Sequence, residues 1–102
     1  MGLDSQTKDI VNKNLNTSIS IFNEIKSSKD VLKKYAENYG NKENHYEFIH
    51  GHMIGQIEGE AFSMVRTSLG RPLTDEERDD LAEIVKSKRP LISDLIERLK
   101  NA

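Results

Sequence analysis

Apolar residues along this chain recur at helical spacing, in three runs closed or interrupted by glycine and proline. In the first run Val11, Leu15, Phe22, Ile25, Leu32, Ala36 and Tyr39 fall on one stripe, and Ile21 and Tyr35 widen it. The pattern predicts a helix over about 6–39, with Gly40 after it as a C-terminal stop. Two local features pull against a single helix. "NKNLNTSISIF" is rich in residues that favour caps and turns, and its "TSISI" alternates as a short strand does. "SSKD" also offers a fresh N-cap at Ser27 or Ser28.

The second run predicts a helix over about 45–69, stopped by Gly70, and the third a helix over about 75–100. The third has the clearest start. In "LTDEERDD" Thr74 stands three residues before Glu77, the spacing of a capping box, and the acids suit the positive helix end. Leu81, Val85, Ile92, Leu95 and Leu99 keep one stripe, with Ile84 and Leu91 beside it. Pro90 falls inside the run without shifting its register, so the helix either kinks there or ends near Lys88 and restarts with Pro90 in a first turn. Connections of about five residues make neighbours antiparallel. The expected fold is an all-α antiparallel three-helix bundle, with four helices if the chain breaks at Pro90 or Ser28. It is read as one domain over 1–102, frayed at 1–5 and 101–102.

Composition narrows the function classes. With 35% hydrophobic and 31% charged residues there is no run near the ~20 apolar residues of a membrane span. The start, "MGLDSQTKDI", lacks the basic and apolar blocks of a signal peptide, and Gln6 stands where myristoylation wants Ser or Thr. No cysteine is present, which leaves no disulfide, thiolate nucleophile or cysteine zinc site. A cytoplasmic location is expected. Fifteen basic against seventeen acidic residues give a net charge of −2, unlike the basic footprint of most nucleic-acid binders. The one basic cluster, Lys86, Lys88 and Arg89 in "KSKR", follows "DEERDD" and reads first as the end of a solvated helix.

The central helix holds the candidate chemistry. At about 100° per residue its apolar arc covers well over half the circumference, wider than a helix packed on one side needs. Gly51, Gly55 and Gly59 form a narrow strip at one edge of that arc. Each interior glycine costs about 1 kcal/mol against alanine, so the strip is expected to serve close approach of another helix. Phe48, Phe62 and Leu69 are the flanking apolar contacts. A homodimer or higher homo-oligomer, with a further protein partner, follows as the expected assembly.

Other residues suggest alternatives. His50 and His52 point about 160° apart on a helix, and His45 and His52 stand about 10 Å apart, so neither pair chelates one metal. Glu47 and His50 in "EFIH" have the Glu-x-x-His spacing by which di-iron carboxylate bundles present ligands. In a hairpin turning near residue 42, Glu37 would face Glu47, and a dimer could then bind iron or another transition metal. The plainer expectation is no cofactor, with His50 buried and hydrogen-bonded. Glu58 falls in the apolar arc and is expected to be a buried acid paired with Lys26. No nucleophile, base and orienting group converge, and no phosphate-binding glycine loop is present, so an enzyme is not the favoured class. A protein–protein interaction module is the leading reading, a metal-binding bundle the alternative, and a helical nucleic-acid binder the third.

Overall fold

The computed structural model describes residues 2–25, 33–34, 37–38 and 45–101. Among the described residues four long helices occur in chain order: α1 (Ser5–Ile25), α2 (His45–Leu69), α3 (Asp75–Ser87) and α4 (Arg89–Lys100). Residues 33–34 and 37–38 are also helical, and no strand occurs among the described residues. "TSISI" lies inside α1, so its alternation did not make a strand. The expected break at Ser28 and the pairing partner Lys26 lie outside the described residues.

The helices form an all-α bundle of three rods. Asn14 meets Met64 and Ser18 meets Glu60, so α1 and α2 run antiparallel. His50 meets Ser93 and Lys100 lies over Tyr46, so α4 is antiparallel to α2 as well. Contacts of Leu3 with Asp80 and of Asn12 with Lys88 run α1 in the same direction as α3. The third rod is α3 and α4 end to end. The α1–α2 register differs from that of a hairpin turning near residue 42. Ser18, not Glu24, stands against Glu60, a shift of six residues or about 9 Å.

Inward positions repeat at helical spacing. The core takes Val11, Leu15, Ile19 and Phe22 from α1, with Leu81, Ile84 and Val85 from α3 and Ile92, Leu95 and Ile96 from α4. From α2 it takes Ile49, Met53, Ile57, Ala61 and Val65, none more than 1% exposed. Burying one large apolar side chain stabilises by about 1.5–3 kcal/mol. The four larger residues of that α2 strip therefore outweigh the ~3 kcal/mol helix-propensity cost of its three glycines. Ile21 and Leu91, expected beside their stripes, are instead exposed.

Caps explain where the elements begin and end. Asp4 accepts from the Thr7 N–H at 2.7 Å, and that bond lowers the Asp4 pKa below its ordinary value. Leu3, placed by the sequence in a frayed end, is buried, and its N–H donates to Asp80 Oδ2 at 2.9 Å. Gly2 lies so close to the Asp80 carboxylate that any Cβ there would collide with it. α2 stops at Gly70, whose φ of 67° suits glycine and whose N–H reaches Arg66 O at 3.1 Å.

The capping box at α3 is complete: Thr74 Oγ1 accepts from the Glu77 N–H, and Glu77 accepts from the Thr74 N–H. Arg71 adds a two-pronged hydrogen bond to the same carboxylate, at 2.8 and 3.0 Å. The third run breaks at Lys88. Its N–H closes a tight turn to Val85 O, its φ and ψ stay right-handed, and Pro90 sits in the first turn of α4, where no N–H is needed. The chain bends there without reversing.

The Arg71 guanidinium first, and the Thr74 N–H second, hold the Glu77 pKa down to about 2 from an ordinary 4.5. A lowered carboxylate pKa stabilises the fold above 4.5, and that stability is lost as pH falls through about 2. The thermal midpoint should therefore drop across that window. In Glu77→Gln it should be lower at neutral pH and fall less on acidification, and Thr74→Ala should cost about 1 kcal/mol. Thermal melts followed by circular dichroism across this pH range test all three.

Candidate interaction face

The face begins with the geometry of α2. Its buried residues repeat every four positions from Ile49 to Val65, and Gly51, Gly55 and Gly59 repeat at the same interval, two residues out of step. Two residues turn a helix by about 200°, so a strip offset by two lies on the opposite side. All three glycines are exposed, and a Cβ built at any of them meets nothing within 4 Å. No other described part of the chain uses the close approach that they allow. Among the described residues α1 and the α3–α4 rod cover the inner side of α2.

Aromatic residues bracket this strip. Phe62 is 42% exposed, and half-buried Phe48 stacks on His52 with ring centroids 6.3 Å apart and planes within 13°. Leu69 is half-buried against the core rim. Beside Phe62 an open groove of about 200 Å³ separates α2 from α3, floored by Leu81, Ala82 and Val85 and edged by Glu58 and Arg78. Glu58 corrects an expectation. It is exposed on the glycine side of α2, because the inward strip passes through Ile57 and Ala61 and leaves position 58 outside it.

The remaining candidates separate. His50 is half-buried rather than buried, and its Nε2 lies 3.1 Å from Ser93 Oγ. The contact ties α2 to α4. Glu47 and Glu37 are exposed, and no group of three or more His, Asp or Glu able to hold a metal ion forms among the described residues. The structure does not bring Glu37, Glu47 and His50 together as a ligand set.

The basic cluster also divides. Lys86 and Arg89 are exposed, but Lys88 is only 7% exposed, and its Nζ donates to Asn12 Oδ1 at 2.8 Å. Burial pushes its pKa below the ordinary lysine value. Lys88 is therefore a contact between α1 and the α3–α4 junction. The sequence held the signal for this: Lys88 falls between Val85 and Ile92 on the inward stripe. Glu77, four residues before Leu81, sits on the same stripe, and it too is buried. No helix among the described residues is long and apolar enough to cross a membrane. No family model, curated protein or solved structure matches the chain.

A buried ammonium that loses its acceptor costs more than the pair is worth. Asn12→Ala should destabilise by about 1–3 kcal/mol. Lys88→Met in the same chain should restore most of that loss, since an apolar side chain of similar length needs no partner. Urea denaturation of the two single variants and the double variant measures the coupling.

Proposed function

We propose that this chain is a small helical protein–protein interaction module, working in the cytoplasm, that receives a helix on the outer face of α2. Self-association is the first form of that interaction. The observation that carries the reading is the placement of Gly51, Gly55 and Gly59 in mid-helix, exposed, with open space where each side chain would stand. Their cost in helix propensity, about 1 kcal/mol each, gains nothing from the described fold. A close-packed helix on that side would repay it, because backbones separated only by hydrogen approach more closely than side chains allow. Exposed Phe62 and the Phe48–His52 stack supply apolar and aromatic area at the margins, where interface anchors are commonly found.

The reading separates stability from association. In the isolated chain Gly55→Ala should stabilise α2 by about 1 kcal/mol, since the methyl enters open space and alanine favours helix. Gly55→Leu should keep the fold and abolish self-association, because the larger side chain fills the approach. Native mass spectrometry over a concentration series, paired with thermal melts, measures both. An assembly that persists unchanged in Gly55→Leu would remove the outer face of α2 as the docking surface.

A further inference from the structure

We infer that Ser93 and His50 form a nucleophile and general-base pair that cleaves small uncharged esters, at a pocket between α2 and α4 apart from the proposed docking face. Ser93 Oγ lies 3.1 Å from His50 Nε2, within the reach a base needs to take a hydroxyl proton. With the ring proton on Nδ1, the Ser93 hydroxyl donates to Nε2, the arrangement in which a histidine activates a serine. The pair is not sealed in the core. Ser93 is exposed, His50 is half-buried, and both line an open pocket of about 150 Å³. A hydrogen bond that only joined two helices would need no cavity beside it. Here a carbonyl group has room to approach the hydroxyl.

Helical spacing assembles this pocket. On α2, Tyr46 stands four residues before His50, and on α4, Ile96 and Lys100 follow Ser93 by three and seven. Residues at such intervals share a helix face, so each helix turns one face to the pocket. Half-buried Tyr46 and buried Ile96 give it an apolar lining. An apolar cavity of about this size takes a single aromatic ring, which points to a short acyl chain or an aryl group rather than a long lipid. Lys100 Nζ sits 5.1 Å from the Tyr46 ring centroid and 3.3 Å from Glu97 Oε1. Side chains lean toward the N-terminus of their helix, so Lys100 brings positive charge back toward Ser93, where negative charge develops on the acyl oxygen. Glu47 and Glu97 also line the pocket, and two carboxylates against one ammonium disfavour an anionic substrate.

The step balances with water as the second reactant. Ser93 Oγ bonds to the acyl carbon while His50 Nε2 takes the hydroxyl proton. The ester C–O bond then breaks, and the departing alkoxide takes that proton from Nε2. Water repeats the attack on the acyl-serine, with Nε2 accepting its proton and returning it to Ser93 Oγ. One ester and one water become an acid and an alcohol.

The test treats the full chain with 4-nitrophenyl acetate, follows nitrophenolate release above buffer hydrolysis, and maps the acid-quenched protein by peptide mass spectrometry. We expect an acetyl group on Ser93. Release should fall about a hundredfold in Ser93→Ala and in His50→Gln, the usual contribution of a general base. The glutamine amide oxygen can still accept from the Ser93 hydroxyl, so His50→Gln keeps the α2–α4 contact and removes only the base, and circular dichroism checks the fold of both variants. Release unchanged in Ser93→Ala would overturn Ser93 as the nucleophile. Release lost in Ser93→Ala but unchanged in His50→Gln would overturn His50 as the base. Acetyl groups confined to lysines of the unmodified sequence, a result that needs no variant to fold, would overturn the pair outright.

Discussion

The four-residue repeat of buried side chains on α2 is the constraint on which the rest of the arrangement depends. Ile49, Met53, Ile57, Ala61 and Val65 are sealed between α1 on one side and the α3–α4 rod on the other. Once that strip points inward, the orientation of every other residue on α2 is fixed by the helix period. The glycines must face outward, Glu58 must join them, and Phe62 must stand exposed. The burial and the open face are two consequences of one rotation of one helix.

Polar residues on the inward stripe of the third rod show what a small bundle does with them. Glu77 and Lys88 both occupy positions where an apolar residue would continue the pattern, and both are more than nine-tenths buried. Each lies at an end of α3 and each has a partner that holds its charge or its hydrogens. Glu77 binds Arg71 and the Thr74 N–H, which fixes the turn after α2. Lys88 reaches Asn12, which joins the bend in the third rod to α1. A buried charge left alone is costly, so these pairs specify where α3 starts and where it stops.

Much of this was legible in the residues. The limits of α2, the capping box at Thr74 and Glu77, and the break beside Pro90 follow from local rules that act within a few residues of chain. The register between α1 and α2 was not legible. It depends on which apolar side chains interlock across two helices, and the pairing of Ser18 with Glu60 displaces the hairpin estimate by six residues. Glu58 was misplaced for a separate reason: the inward strip through Ile57 and Ala61 is narrower than the apolar arc and leaves position 58 outside it. Lys88 and Leu3 were misplaced for opposite reasons: charge outweighed the stripe in one, and position near an end outweighed apolarity in the other.

The breadth of the apolar arc on α2 is explained by what three rods can cover. A helix in such a bundle has its two neighbours on the same side, so roughly half its surface must face away from them. The α1 rod and the bent α3–α4 rod fill that inner half of α2 and leave Phe62 and the glycine strip on the outer half. A surface that needed only solubility would be served there by lysine, glutamate or alanine, each a better helix former than glycine. The outer residues of α2 instead combine three exposed glycines with exposed Phe62. Under the proposed reading that outer face is where a second helix would lie across α2, and the glycines would then repay their cost in helix propensity.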